Sequence, residues 1–275
     1  MRIGVNTLFL IPGEVGGSEV YLRETLSAMV HRAEREVAWV IFTNRENDQM
    51  WRETLHAGGA VQFCSMDFSA ANRVARVLRE QFGLPSAARR AGLDVLWSPG
   101  YTAPLRCPCP QVVTLLDMQY RSHPDDFSWP ARWGFHWLVQ RAARRCEGVL
   151  AISEFSRREV ARHTGRPEDQ IGVTPLGAEP EFAQPALAAD RRRVVCEILG
   201  EEAPYLLCVA HTYPHKNIHG LVEAFGRLAG GFPHHLVLLG RPRRGETAVR
   251  RENQRLGECS ERVHRIGRME RKHLI

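Results

Sequence analysis

Short apolar runs alternate with longer segments of helical periodicity along almost the whole chain, and this alternation constrains the fold more than any other feature. The runs have the length of buried strands, and the segments between them have the apolar spacing of helices. Strand-like runs lie at Arg2–Phe9, Val37–Thr43, Ala60–Ser65, Asp94–Ser98, Val112–Leu116, Gly148–Ile152, Leu206–Ala210, His235–Leu239 and Arg262–Ile266. Helical segments include Ser18–Ala33, Asn72–Phe82, Ala131–Arg145, Glu154–His163, Leu187–Leu199, Asn217–Phe225 and Thr247–Leu256. This pattern predicts an α/β fold with parallel sheets covered by helices.

A proline-rich segment divides the alternation into two parts. Thr174–Pro185 carries three prolines and one glycine, which fit neither a helix nor a central strand. We therefore predict two domains of the same α/β kind, at residues 1–176 and 177–275. A ligand cleft is expected between them, facing the carboxyl ends of both sheets.

Charge and cysteine content restrict the partners and the compartment. The net charge of +6 permits an anionic partner, such as a nucleotide, an anionic membrane face or a nucleic acid. No zinc finger, RNP-type or helix-turn-helix motif occurs, so we predict no nucleic-acid partner. Among seven scattered cysteines only Cys107 and Cys109 are close, in a spacing too tight for the usual zinc knuckle. We expect reduced thiols in a cytoplasmic protein.

The stretch Tyr205–Phe225 gives the strongest indication of a ligand. An apolar run fit for a strand buried on both faces, Leu206–Ala210, leads into a loop and a helix that starts near Asn217. This arrangement places free backbone N–H groups at the carboxyl edge of a sheet, where an anion can bind. Lys216 adds a full charge there, and only Lys216 and Lys272 are lysines among 37 Lys and Arg residues. We interpret Lys216 as a phosphate ligand, with a solvated first-turn lysine as the alternative.

Several motifs occur in a specific order along the chain. Gly16-Gly17-Ser18-Glu19 follows the first strand, and further motifs lie at Val149–Ser156, Val173–Gly177, Pro214–Asn217 and Leu221–Phe225. In this order they resemble the retaining glycosyltransferases of family four. Those enzymes have the GT-B fold, in which two Rossmann-like domains face each other across a cleft. The resemblance covers nearly the whole chain.

The resemblance implies an activity. The protein would be a hexosyltransferase, similar to mannosyltransferases, that moves a sugar from a nucleotide-sugar donor to an acceptor hydroxyl with retention at the anomeric carbon. It would use no cofactor and no bound metal. The second domain would hold the donor, and the first would hold a sugar or lipid-linked acceptor.

The resemblance also implies site residues. Catalytic roles fall to Lys216, with the amides of the following helix, which would stabilise charge on the departing diphosphate. Asp117 either orients an acceptor hydroxyl or caps its own loop. The donor-binding residues would be Gly16, Gly17, His211, Lys216, Asn217, Gly240, Arg268 and Met269. Each glycine taken singly could be an ordinary turn residue.

The chain departs from the family pattern at three places. His211 stands where the family commonly has an arginine, which weakens the neutralisation of the phosphates, although a histidine can still donate one hydrogen bond. Leu116 occupies the position of a histidine close to the reacting sugar. The E-x7-E segment of the family and its final crossing helix do not precede Ile275. We therefore expect an incomplete second domain that binds nucleotide weakly. The alternative is a non-catalytic sugar-binding or nucleotide-binding remnant, or a subunit that needs a partner chain.

Two groups of basic and aromatic residues have alternative explanations. Arg73, Arg76 and Arg79 share one helical face, and four aromatic residues crowd the segment from Trp129 to Trp137. We interpret them as solvated arginines and a packed aromatic core. Peripheral contact with the inner face of an anionic membrane is the alternative, and it would suit a lipid-linked acceptor.

Overall fold

The computed structural model describes residues 1–33, 36–55, 60–122, 129–178, 182 and 188–269. The chain divides into two compact units, Met1–Gly177 and Ala178–Ile275. Half of the predicted interdomain segment, Thr174–Pro185, lies outside the described residues. The start of the helix predicted at Leu187 and the side chain of Trp129 also lie outside the described residues.

The first unit contains a parallel sheet of seven strands, and the prediction of an α/β fold is confirmed. Its strand order is β3-β2-β1-β4-β5-β6-β7, and every pair is parallel. The register places Ile3 opposite both Trp39 and Val95, so β1 lies between β2 and β4. The strands are β1 Arg2–Asn6, β2 Ala38–Thr43, β3 Ala60–Ser65, β4 Val95–Ser98, β5 Gln111–Leu115, β6 Gly148–Ala151 and β7 Ile171–Val173. The chain turns from one side of the sheet to the other between β1 and β4, which is where such sheets bind ligands.

Seven α-helices belong to the described part of the first unit. They are α1 Gly17–Arg32, α2 Asp48–Thr54, α3 Arg73–Leu78, α4 Leu84–Ala91, α5 Gln119–Ser122, α6 Trp129–Arg145 and α7 Glu154–Thr164. A π-helical turn, Arg79–Gly83, joins α3 to α4. Ser153 caps the start of α7, because its hydroxyl accepts a hydrogen bond of 3.0 Å from the N–H of Ser156. Helix α7 ends at Gly165, whose φ of 73° is the left-handed conformation that glycine favours.

Three apolar clusters hold the helices of this unit on the sheet. Helices α1 and α2 pack through Leu22, Leu26 and Trp51 against side chains of β1 and β2. Helix α4 covers β2 and β4 through Leu84, Ala87 and Ala88. Helices α6 and α7 cover β5 and β6 through residues that include Val139, Ala143 and Val160. Since both faces of β2 are covered, its residues from Trp39 to Thr43 are all buried.

The second unit contains a parallel sheet of three described strands in the order β10-β9-β8. The strands are β8 Tyr205–Val209, β9 His235–Leu239 and β10 Val263–Ile266, and the helices are α8 Ala188–Leu199, α9 Ile218–Leu228 and α10 Glu246–Arg255. A core of Ile218, Val222, Phe225 and Val249 packs α9 and α10 on β9. Strand β9 is buried along its whole length because it is the middle strand.

The prediction that Leu206–Ala210 is buried on both faces is wrong. Strand β8 pairs only with β9 among the described residues, so it forms one edge of the sheet. Leu206, Leu207 and Val209 are 43%, 50% and 58% exposed. The apolar composition of the run indicated a central strand, but the number of neighbouring strands decides its burial.

Candidate functional site

The glycine loop after β1 leaves backbone N–H groups open at the carboxyl edge of the large sheet. Gly16 has a φ of 63°, and a Cβ built on Gly16 or Gly17 would meet no atom within 4 Å. Among the described residues, the N–H groups of Gly17 and Ser18 at the start of α1 have no hydrogen-bond partner. The loop itself is held by Glu19, whose carboxylate accepts a hydrogen bond of 2.6 Å from the N–H of Gly13. A ligand can therefore reach this backbone without displacing side chains.

The loops after β4 and β5 meet at the same edge. Asn6 at the end of β1 donates a hydrogen bond of 3.3 Å from its side-chain amide to the hydroxyl of Ser98 at the end of β4. Beyond Ser98 the chain passes through Tyr101, whose φ of 71° is rare for a residue with a side chain. The phenol of Tyr101 hydrogen bonds with the carboxylate of Asp117, which follows β5. Burial, and then the Asp117 carboxylate, raises the pKa of Tyr101 well above its ordinary value.

Asp117 is hydrogen-bonded within its own loop, and Leu116 lies in the core. Oδ1 of Asp117 accepts a hydrogen bond of 3.0 Å from the N–H of Gln119, at the first residue of α5. This contact is the one expected of a residue that caps its loop. Leu116 is buried among the apolar residues that pack α1 on the sheet. The position that is a histidine in the family is therefore part of the core.

In the second unit, two loops at the carboxyl edge of the small sheet are joined through Thr212. Its hydroxyl accepts a hydrogen bond of 2.7 Å from the N–H of Arg243 and donates one of 2.9 Å to Oε2 of Glu246. Its carbonyl oxygen accepts a hydrogen bond of 2.7 Å from the N–H of Gly245. The loop after β8 and the loop after β9 therefore form one hydrogen-bonded structure.

Gly240 permits the two loops to come this close. Its φ is 151°, and a Cβ at this position would lie 2.2 Å from the carbonyl oxygen of Ala210. Any side chain would force the end of β9 away from the end of β8. Gly240 thus has a packing role that is independent of any ligand.

His211 is a hydrogen-bond acceptor in this structure. Its Nδ1 accepts a hydrogen bond of 3.0 Å from the N–H of Arg241. Burial, followed by the charges of Arg243, Arg241 and Arg265, lowers the pKa of His211 below its ordinary value. The imidazole is neutral with its proton on Nε2, which leaves a single donor for a ligand.

Lys216 and Asn217 lie where β8 leads into α9. Lys216 is exposed at the end of a 3-10 turn, Pro214–Lys216, and it forms no ion pair with any described residue. Asn217 precedes α9 with a φ of 50° and makes no side-chain capping bond to the helix. The first N–H groups of α9, from Ile218 to Gly220, have no partner in the described part of the chain. A positive charge and three open amides are therefore close together in sequence.

Arg243 adds a second cation to this edge. Its guanidinium lies 5.8 Å from the centre of the Tyr213 ring, and Tyr213 stacks on His215. Its Nε is buried without a hydrogen-bond partner, and the group forms no ion pair with a described residue. By contrast, Arg265 donates to Glu246 and to the carbonyl oxygens of Leu238 and Gly240. Arg243 is thus available to a ligand, whereas Arg265 is committed to the fold.

The two predicted residues after β10 lie in different surroundings. Arg268 is exposed. Met269 lines an apolar crevice against α8, β8 and β9 with residues that include Val194, Ile198, Leu207 and Leu239. Apart from Tyr205, the described residues that line the crevice are apolar and none of them is charged, so a phosphate does not fit there.

Three residues of the site were missed in the sequence. Tyr101, Thr212 and Arg243 join loops that follow different strands, and no spacing in one segment of the sequence indicates such contacts. The available signal for Arg243 was its place three residues after Gly240, the glycine that ends the strand, in a chain that uses arginine for nearly every cation.

The described residues hold neither a group of metal ligands nor a membrane-spanning helix. No three His, Cys, Asp or Glu side chains in the described ranges are grouped so that they could hold a metal ion. None of the described helices is both long enough and apolar enough to span a bilayer.

Comparisons with known proteins agree with this architecture. Residues 15–182, more than half of the chain, match the family model described as Glycosyltransferase Family 4. The structure of Anabaena HepE with UDP and glucose is 17% identical and superposes with a TM-score of 0.68, covering 98% of this chain and 69% of HepE. Sucrose-phosphate synthase from Thermosynechococcus elongatus is 13% identical with a TM-score of 0.63, covering 100% and 72%.

A third structure, the lipopolysaccharide outer core galactosyltransferase WaaB, is 11% identical with a TM-score of 0.56, covering 98% of this chain and 69% of WaaB. These similarities show the GT-B fold. No curated protein matches the sequence.

Proposed function

The chain belongs to Glycosyltransferase Family 4, and on this premise we propose that it transfers a hexosyl group from a nucleoside-diphosphate sugar to an acceptor hydroxyl with retention of configuration. The observation that carries the proposal is the carboxyl edge of the small sheet. There the open amides of α9, the exposed Lys216 and the unpaired Arg243 offer positive charge to a diphosphate.

The transfer needs stabilisation of charge at the leaving group. The bond between the anomeric carbon and the β-phosphate oxygen breaks, and the acceptor oxygen bonds to the anomeric carbon on the same face. The acceptor proton leaves with the diphosphate. Negative charge therefore grows on the diphosphate, and fixed cations and amide dipoles lower the barrier. We assign this role to Lys216, Arg243 and the first amides of α9, without a bound metal.

Because His211 is neutral, the proposed diphosphate site needs a second cation besides Lys216. In the family pattern an arginine at position 211 would give a second full charge beside the lysine. His211 instead donates one hydrogen bond at most, because its Nδ1 is engaged by Arg241. Arg243 is on the adjoining loop and lies beside Tyr213, so it can supply the missing charge.

The acceptor-side proposal concerns the edge of the large sheet. The contact between Tyr101 and Asp117 supports a polar acceptor, a sugar or a lipid-linked sugar. We keep the open amides of the Gly16–Gly17 turn as contacts for the donor diphosphate. The bond from Gln119 supports the capping role for Asp117, so we place Asp117 as a positioning residue. The proposed compartment is the cytoplasm, and the seven free thiols support it.

The proposed donor is a uridine or guanosine diphosphate sugar. HepE has been solved with UDP-glucose, which makes uridine nucleotides the first candidates. The similarity of the motifs to mannosyltransferases makes GDP-mannose the second.

A second candidate function is binding of a nucleotide or sugar without transfer. Two observations favour it: a neutral histidine replaces a phosphate-binding arginine, and a buried leucine replaces a histidine near the reacting sugar. A non-catalytic protein would keep the diphosphate contacts but would release no nucleotide from a sugar donor.

One experiment tests both functions. In one sample the melting temperature of the chain is measured with UDP, GDP or ADP. In a second, unheated sample the chain is incubated with UDP-glucose or GDP-mannose and a panel of sugar acceptors, and the released nucleoside diphosphate is measured. A nucleotide that binds only the folded protein raises its melting temperature. Stabilisation with release of nucleoside diphosphate supports the transferase. Stabilisation without release supports the binding protein, and no stabilisation by any nucleotide contradicts both.

A further inference from the structure

A row of apolar side chains is exposed along α3 and the π-helical turn that follows it. Val74, Leu78 and Phe82 are 68%, 52% and 71% exposed. They are spaced four residues apart, so they lie on one side of the helical segment. A row of three large apolar residues at this spacing is uncommon on a free surface.

The exposure does not result from loose attachment of this segment. The opposite side is anchored by Glu80, whose buried carboxyl accepts a hydrogen bond of 2.9 Å from the Thr102 hydroxyl. Gln81 donates to the carbonyl oxygen of Ala103 and accepts from the N–H of Leu105. The following helix, α4, packs into the core through Leu84. The fold therefore fixes the segment with its apolar row facing outward.

The exposed charged residues of α3, the π-helical turn and α4 all have one sign. Exposed cationic groups are supplied by Arg73, Arg79, Arg89 and Arg90, and none of the four forms an ion pair with a described residue. The only carboxyl group between residues 72 and 91 is the buried Glu80. Outside this range, Asp67 is near Arg79 but is hydrogen-bonded to Arg45 at 2.7 Å.

We propose that the surface formed by Val74, Leu78, Phe82 and these four arginines docks the protein on an anionic lipid bilayer. Apolar side chains flanked by arginines match the boundary between acyl chains and anionic headgroups. The uniform positive charge opposes contact with the same surface of a second copy, which would place like charges together. The proposal is independent of the sugar-transfer chemistry, because it involves no residue of the diphosphate site.

The test is co-sedimentation of the chain with vesicles of phosphatidylglycerol and phosphatidylcholine, compared with vesicles of phosphatidylcholine alone. We expect binding only to the anionic vesicles, and weaker binding at high salt. The double variant Leu78→Ser/Phe82→Ser keeps every charge and should bind about tenfold more weakly, because it loses the apolar contact. Arg73→Gln/Arg79→Gln should also weaken binding.

Matched controls lie elsewhere on the same unit. Phe155 on α7 is 67% exposed, and Phe155→Ser should bind vesicles like the parent. Arg162→Gln, on the same helix, controls for loss of one exposed charge. Thermal melting of each variant shows that it is folded. Equal binding to both vesicle types, or full binding by Leu78→Ser/Phe82→Ser, overturns the proposal. So does light scattering that shows a dimer dissociated by Leu78→Ser/Phe82→Ser, since the row would then be a protein interface.

Discussion

The N–H of Arg241 donates a hydrogen bond of 3.0 Å to Nδ1 of His211, and this contact fixes both the tautomer and the charge of the imidazole. Protonation of Nδ1 would remove the acceptor and place a cation beside Arg243, Arg241 and Arg265. The neutral imidazole is therefore a structural link between the loops after β8 and β9, and it is not a phosphate-binding cation.

This link predicts a pH dependence of stability. The folded-state pKa of His211 is lowered by burial and by three arginines, so the folded protein favours the neutral form. The stabilising contribution is present above the ordinary pKa of 6.5 and is lost as the pH falls below it toward the folded value. His211→Asn keeps an acceptor that does not titrate. Its melting temperature should fall less than that of the parent between pH 7.5 and pH 5.5.

The control for this measurement is His219→Asn, on the exposed side of α9. It should show the same pH dependence as the parent. Parallel curves for the parent and His211→Asn would contradict the structural role of the imidazole.

Lys216→Ala should weaken nucleotide binding without affecting the fold. Lys216 is exposed and forms no ion pair with a described residue, so its removal leaves no buried group unpaired. Loss of one charged hydrogen bond to a phosphate corresponds to roughly 10- to 100-fold weaker binding. Calorimetry with the stabilising nucleotide measures the change, and transfer should fall at least as much. Arg227→Ala, at the far end of α9, is the control and should bind normally. Unchanged affinity in Lys216→Ala would remove this residue from the proposed site.

Arg243→Gln tests whether Arg243, on the loop after β9, supplies the phosphate-binding charge that an arginine at position 211 would give. We expect roughly tenfold weaker binding of a nucleoside diphosphate and a much smaller effect on the nucleoside, which carries no phosphate. The matched control is Arg255→Gln on α10, where the arginine pairs with Glu252 at the surface. Equal loss of affinity for diphosphate and nucleoside would indicate a disturbed loop, and it would count against a phosphate contact.

Much of the fold was predictable because periodicity reports burial within one segment. The predicted strand His235–Leu239 matches β9 residue for residue, and the predicted helix Glu154–His163 differs from α7 by one residue at its end. The burial of a strand also depends on how many strands lie beside it in the sheet, and this could not be predicted from the sequence of the strand. Strand β8 is as apolar as β9, yet it is exposed because it lies at an edge of the sheet that the described residues form.

Aromatic residues of α6 show the same limit. The packed aromatic core predicted there is wrong for Trp133 and Trp137, which are 56% and 47% exposed, whereas Phe135 packs on Tyr101 and Tyr120. In the site, Lys216 could be predicted because it is one of two lysines in a chain whose other basic residues are arginines. The neutrality of His211 could not be predicted, since it depends on an N–H from a different loop.

The buried carboxyl group of Glu80 gives the last prediction. Burial, opposed by the Thr102 hydroxyl and Arg76, raises the pKa of Glu80 from 4.5 to about 7. The folded protein therefore favours the protonated form. Its contribution to stability is fully present below pH 4.5 and is lost as the pH rises through 7, a change of about 3 kcal/mol. Glu80→Gln cannot ionise, so between pH 5 and pH 8 it should lose less stability than the parent. Chemical denaturation at both pH values measures the difference. Glu24→Gln, on the surface of α1, should behave like the parent, and an equal pH dependence in Glu80→Gln would show that the carboxyl group ionises without cost.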